Sequence, residues 1–126
     1  VALSDGEDTN SQRFKLGDAV RELQRAESLF YSINPSGPSI YLNRISLKGH
    51  EGMTKLAEET GGRAFFQGTF SPVSLDPFFR DLDVALTRQF VLSYLSTHMK
   101  KGYYRVRVLS TNPEIRFDHP KGYVYR

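Results

Sequence analysis

The chain contains no cysteine and no tryptophan. Without cysteine there is no disulfide framework, no thiolate zinc site and no cysteine nucleophile. The redox compartment is left open, since a cysteine-free chain is stable in any. No apolar run approaches the ~18 residues that a membrane-spanning helix needs. The sequence reads as lacking a signal peptide, because Val1 opens directly on an apolar, strand-like stretch; the missing initiator Met suggests processing or excision. Charge of one sign is barely in excess: 17 Lys and Arg less 14 Asp and Glu leaves +3. That excess is too small to argue by itself for nucleic acid, although an isoelectric point near 9.3 keeps the possibility open. Internal repeats and low-complexity segments are also lacking.

What is present suits one folded domain of 126 residues. Nine Phe and seven Tyr set the chain apart from disordered sequences and are enough to build a core. Val1-Ala2-Leu3 reads as a buried strand that stops at the turn formers Ser4-Asp5-Gly6. Leu16, Ala19, Val20, Leu23 and Ala26 recur at helical spacing, with Arg21, Glu22, Gln24 and Arg25 on the outer face. Leu29 to Ile33 is a strand closed by Asn34-Pro35. Residues 35–49 read as a loop that packs back on the body. Met53, Leu56 and Ala57 predict a short helix, ended by Gly61-Gly62 in the left-handed conformation. Arg63 to Phe66 is the next strand. Asp76-Pro77 predicts an N-cap with proline at the first helical position, and Phe78, Phe79, Leu82, Ala85 and Leu86 form that helix's apolar face.

Phe90 to Leu95 is almost continuously apolar and reads as a strand covered on both faces. After the Lys100-Lys101-Gly102 turn, Tyr104, Val106 and Val108 alternate with Tyr103, Arg105 and Arg107. Ile115 to Asp118 and Tyr123 to Tyr125 predict short edge strands. The expected order is β-α-β-loop-α-β-α-β-β-β. Alternating helix and strand imply parallel pairing, and the tight turns of the last part imply an antiparallel extension. The domain then divides into a β/α part, residues 1–95, and an extension, residues 96–126.

Catalytic patterns are missing from this order. His50-Glu51 is not His-Glu-x-x-His, because position 54 is Thr. His50, His98 and His119 fall in three separate predicted loops and read as isolated surface residues. There is no Gly-x-Ser-x-Gly nucleophile elbow, and Gly61-Gly62 lacks the spacing of a phosphate loop. Asp5-x-Glu7-Asp8-x-Asn10 lacks the glycine and closing Glu of an EF-hand. With no nucleophile–base pair or acid–base dyad visible, the expectation is a non-enzymatic protein.

Three stretches carry a resemblance. Val1 to Asp8, an apolar run ending in Ser-Asp-Gly, resembles the fourth strand of von Willebrand factor type A domains. Lys55 to Phe66 resembles the late helix-strand unit of that fold. Gln89 to Tyr94, Gly102 to Val108 and Pro120 to Tyr123 are similar to the tail of a bacterial type A family often found in acidobacteria. The resemblance implies an α/β, three-layer, Rossmann-like partial sheet: parallel strands with flanking helices plus a C-terminal antiparallel extension. It also implies a cation site at the carboxyl ends of the strands, built from Asp-x-Ser-x-Ser, a Thr, and an Asp corresponding to Asp5. The first two elements have no counterpart here, so the resemblance is to the carboxyl-terminal half. The site is therefore expected to be incomplete: no cofactor in this chain, and Mg2+ or another divalent cation in an intact domain. There Asp5 would act through a bound water, with Ser4 and Gly6 shaping its loop. The implied location is secreted or periplasmic, and the implied partner is a protein whose acidic group meets the cation.

Two further readings stand beside this one. Val1 to Leu3, without a neighbour, would leave an apolar strand edge that invites homo-oligomerisation. Lys100, Lys101, Arg105, Arg107, Arg116 and Lys121 lie among tyrosines and form a possible basic surface for single-stranded nucleic acid. A solvated sheet face explains that pattern more simply, and +3 overall is modest for a phosphate binder.

Overall fold

A computed structural model describes residues 1–8, 10–35, 44–66 and 74–126. Its elements run β1 (Ala2–Leu3), α1 (Leu16–Arg25), β2 (Ser32–Asn34), α2 (Arg44–Thr60), β3 (Ala64–Phe66), α3 (Asp76–Thr87), β4 (Gly102–Arg105) and β5 (Gly122–Tyr125). The architecture is mixed α/β. The first three strands form a parallel sheet in the order β1-β2-β3, with Leu3 opposite Ile33 and Ile33 opposite Phe65. The last two form an antiparallel hairpin in which Tyr104 faces Tyr123. Parallel neighbours need a crossover, and α1 and α2 supply the two here.

The core lies on one face of the parallel sheet. Tyr31 and Ile33, two residues apart and so on one side of the pleat, are buried with Phe65, Phe78 and Leu82. α3 therefore covers this face with Phe78 and Leu82, while Phe79 and Leu86 of its expected apolar face stay substantially exposed. The ring of His50 on α2 packs against Phe66, tilted by 37°, at 3.9 Å between centroids. Alternation turns Phe66 to the side opposite Phe65, so α2 lies across the sheet from α3.

Helix ends follow local chemistry. Asp18, three residues after Lys15, accepts the Lys15 N–H at 2.8 Å and closes the start of α1. Gly61 takes φ +82°, and the Gly62 N–H donates to the Ala57 carbonyl at 3.0 Å. This is the six-to-one closure of a Schellman end, as the Gly61-Gly62 pair predicts. α3 starts at Asp76 with Pro77 in its first turn. The residue before the helix is Leu75, one earlier than the sequence suggests, and the Ser74 hydroxyl accepts the Asp76 N–H.

Several expectations are corrected. The segment 44–49, read as loop, is the first part of a 17-residue helix. Its glycines Gly49 and Gly52 weaken the helical signal, and tertiary packing overrides them. The remainder of that expected loop, 36–43, lies outside the described residues. Gln24, assigned to the outer face of α1, is buried, whereas Leu16 and Ala19 of the expected inner face are exposed. Phe90 to Leu95 is neither a paired strand nor covered; it lies exposed, outside any helix or strand. Ile115 to Asp118 is an irregular connection. The alternation from Tyr103 to Val108 does appear, with Tyr104, Val106 and Val108 half-buried and their neighbours exposed, but ladder pairing stops at Arg105. No described helix is long and apolar enough to cross a membrane.

Candidate functional site

The carboxyl ends of parallel strands are where open α/β sheets place ligands. Ser4-Asp5-Gly6 sits there, immediately after β1. Ser4 N–H donates to Ile33 O at 3.1 Å, continuing the sheet by one bond. Beyond it the chain turns on its own side chains: Ser4 Oγ accepts the Gly6 N–H and Asp5 Oδ1 accepts the Glu7 N–H, each at 3.0 Å. Asp8 Oδ1 then accepts from Ser11 N–H at 2.8 Å and Asn10 N–H at 3.3 Å. Those donors, Ser11 first, hold the Asp8 carboxyl below the usual carboxylate range against a smaller opposing effect of desolvation. Such local bonds are why Asp and Ser dominate turns.

The loop is held from below by α2. Gly6 has φ +75°, and a Cβ there would stand 2.5 Å from the Gly49 carbonyl oxygen. A Cβ on Gly49 would meet the Asp5 carbonyl oxygen at 2.8 Å. The two glycines thus let backbone touch backbone. Ser46, one turn earlier on α2, donates its hydroxyl to Glu7 Oε1. Neither Gly49 nor Ser46 stood out in the sequence, because both fall in a stretch that reads as loop.

Asp5 is exposed at the rim of this loop. A hard divalent cation wants about six oxygen ligands. Among the described residues no three His, Asp or Glu side chains converge in a group able to hold a metal ion. Asp5 together with a Glu7 already bonded to Ser46 does not fit such an ion.

His50 is helical rather than in a loop and half-buried against Phe66, and His119 is half-buried as well, so neither is the isolated surface residue expected. His119 Nε2 accepts the Val108 N–H at 3.3 Å. His98 has more company. Its Nδ1 lies 3.0 Å from Tyr123 Oη, its ring stacks on Tyr104 at 3.9 Å, and Tyr123 Oη also bonds Ser96 Oγ. Tyr94 meets the Tyr123 ring edge-on at 6.2 Å. Burial, and then the neighbouring Tyr123, push the Tyr94 hydroxyl's pKa up. The Ser96 hydroxyl also accepts the His98 N–H at 3.2 Å. This is a turn with its lone pairs in use, and it clips the stretch before β4 onto the hairpin.

The six candidate basic residues are all exposed, and none forms an ion pair among the described residues. Lys100 and Lys101 precede β4. Arg105, Arg107 and Lys121 gather at its other end, where Val106 N–H donates to Lys121 O at 2.9 Å. A four-residue strand separates the groups by ~10 Å. Arg116 lies on the irregular connection. Between α1 and the hairpin opens a groove of about 1090 Å³. At the groove, buried Gln24 donates its amide to Glu59 O and to Tyr103 Oη, both at 3.3 Å.

No protein-family model, no curated protein and no solved structure matches the chain.

Proposed function

We propose that the chain is a non-enzymatic protein-binding module, adhesion-like, equivalent to the carboxyl-terminal half of a von Willebrand type A domain of an exported bacterial protein. The finer fold reading belongs to the same proposal: a three-layer, Rossmann-like sheet of which three parallel strands are in hand. One observation carries it. The Ser4-Asp5-Gly6 turn lies at the carboxyl end of a parallel strand and is fixed on α2 by the Gly6–Gly49 contact. A binding loop needs such a rigid support. Asp5 faces outward there, available to a partner's surface or to groups from another segment.

The test begins with the reading frame upstream of Val1, over about 100 residues, the length of three strand-helix units. The proposal expects an apolar strand ending in Asp-x-Ser-x-Ser. The extended protein should bind Mn2+ in a calorimetric titration, and Asp5→Ala should weaken that binding by about tenfold or more. The 126-residue chain alone should show no saturable heat. An upstream sequence without the motif, or an extended protein indifferent to Asp5→Ala, overturns the reading.

A second reading has its own observation. Among the described residues β1 pairs only with β2, and Val1 and Leu3 are 76% and 58% exposed. An uncovered apolar edge of this kind recruits another strand. Replacing Leu3 by Lys would abolish any association that runs through it, while leaving association through other surfaces unchanged.

A further inference from the structure

We propose that the groove between α1 and the β4–β5 hairpin binds a short peptide by its free carboxyl terminus. None of the groove's lining residues belongs to the Asp5 loop, so the two sites are independent. A pair of cations stands at one end of the groove. Gly102 pairs with Tyr125, and continuing that antiparallel register by one residue sets Lys101 opposite Arg126. Like charges directly opposed across a ladder repel. Arg21 and Arg25, which also line the groove, are matched by Asp18 and Glu22. Among the described residues no carboxylate pairs with Lys101 or Arg126. Arg126 is held in place all the same: its Nη2 donates to the Arg25 carbonyl at 2.7 Å, reaching from the hairpin to the end of α1. An anion set between Lys101 and Arg126 relieves their repulsion and accepts charge-assisted bonds from both.

The rest of the groove has the chemistry of a peptide chain. Val20, Val124 and Tyr125 give it apolar walls. Gln24 is only 9% exposed, and its amide nitrogen donates to Glu59 O and Tyr103 Oη. Its carbonyl oxygen accepts no bond among the described residues and is not sealed from solvent, so it opens onto the groove. Tyr103 Oη accepts from Gln24 and gives its own hydrogen to no described group. Burial, and then the Glu59 carboxylate, push the Tyr103 pKa up, so the hydroxyl keeps that hydrogen. A free acceptor beside a free donor is what the N–H and C=O of a peptide unit need. Glu59, half-buried and without an ion pair among the described residues, repels a carboxylate from this end of the groove. The ligand's charged end is thereby directed to Lys101 and Arg126. Lys101 is two residues from Tyr103 along the hairpin, ~7 Å, a span that the last two residues of an extended peptide cover in line with its terminal carboxylate. The groove's volume of about 1090 Å³ exceeds the ~300–1,000 Å³ of small-ligand pockets and leaves room for several residues.

The probe is a pool of hexapeptides, labelled at the amino end, randomised over apolar residues and ending in a free carboxylate. Two comparison pools end in a carboxamide, one of them with a single internal Glu. Fluorescence anisotropy should rise saturably as the whole chain is added to the free-acid pool, and binding should weaken about tenfold or more for both carboxamide pools. Lys101→Glu combined with Arg126→Glu should abolish the preference for the free acid. Ala26→Trp fills the groove from α1 and leaves both cations in place, so it should weaken binding of every pool. All three positions are exposed, so folding is undisturbed, which circular dichroism would verify. Lys48→Glu combined with Lys55→Glu makes the same change in net charge on exposed residues of α2 outside the groove, and should leave binding as it was. No saturable rise with the free-acid pool up to ~1 mM chain overturns the proposal. So does equal binding of a carboxamide pool, a K101E/R126E variant that still prefers the free acid, undiminished binding by A26W, or an equal loss in K48E/K55E.

Discussion

The backbones of Gly6 and Gly49 are in direct contact, so that neither position has room for a side-chain carbon. The loop bearing Asp5 is seated on α2 through this contact. Gly49→Ala has two opposing effects. Alanine in a helix interior stabilises by ~1 kcal/mol over glycine. A Cβ 2.8 Å from the Asp5 carbonyl oxygen meets backbone that has no rotamer to yield, and overpacking of this kind costs ~1–3 kcal/mol. We expect net destabilisation in urea unfolding, with the Asp5 loop displaced. Gly52→Ala, whose Cβ would touch only Leu16 methyl groups at 3.8 Å, should be neutral or stabilising by up to ~1 kcal/mol. Gly6→Ala should be worst, since its φ of +75° adds a left-handed penalty of ~1–2 kcal/mol to the clash. A stable Gly49→Ala with an unmoved loop would sink this account.

Thr60 ties the end of α2 to the residues that lead into β2. Its hydroxyl donates to Leu56 O at 2.7 Å and accepts the Phe30 N–H at 3.0 Å, and the residue is 2% exposed. Thr60→Val keeps the shape and removes the acceptor, leaving the Phe30 N–H without a bond. Such an orphaned donor costs ~1–3 kcal/mol. Thr60→Ser retains the hydroxyl and should recover most of it. Equal stability of the Val and Ser variants in chemical denaturation would show that packing alone matters at this position.

Asp18 ties the start of α1 to acid stability. The Lys15 N–H bonded to its carboxylate, assisted by Arg21, holds its pKa below the ordinary value despite some desolvation. A pKa depressed on folding contributes stability that is complete above the unfolded value, ~3.9, and is lost as pH falls through the folded value. The wild type should therefore lose stability as the solution is acidified below about pH 4. Asp18→Asn should be less stable at neutral pH and flatter in that acid range. A variant whose acid profile runs parallel to the wild type's would remove Asp18 from the explanation.

The elements most legible in the sequence were those with local signatures. Gly61-Gly62 announced the end of α2, Asp76-Pro77 the start of α3, and Tyr103 to Val108 its alternation. The start of α2 was not legible, because Gly49 and Gly52 are poor helix formers, and the reason for Gly49 lies 43 residues away, at Gly6. Gln24 reads as an outer residue, yet it is buried because Glu59 O and Tyr103 Oη, both distant in sequence, accept its amide. Phe90 to Leu95 has the composition of a covered strand and lacks the cover within the described residues. Composition specifies what a segment would bury and is silent on which chain buries it. At the candidate site, the Ser4-Asp5-Gly6 turn was visible from turn chemistry alone, whereas its seat on α2 was not.

The basic hairpin yields the last prediction. Non-specific binding to single strands needs a continuous positive track and free aromatic faces. Lys100 and Lys101 are separated from Arg105, Arg107 and Lys121 by the length of β4. Tyr104 is stacked against His98, Tyr123 Oη is bonded to Ser96 and His98, and Tyr103 Oη accepts from Gln24. The aromatic groups that bases would use are thus largely engaged in holding the hairpin to residues 94–98 and to α1. Fluorescence anisotropy of labelled oligo-dT should therefore stay flat as the chain is added, even at low salt, where phosphate contacts are strongest. A saturable rise that collapses with added salt and is halved or more by Arg105→Ala with Arg107→Ala would reverse this conclusion. A complex that stacks bases would also require that the Tyr104–His98 stack open to admit one, and a single-residue change can examine that separately. His98→Ala frees the Tyr104 face without touching a cation, so it should leave a purely electrostatic complex unchanged and strengthen one that depends on stacking.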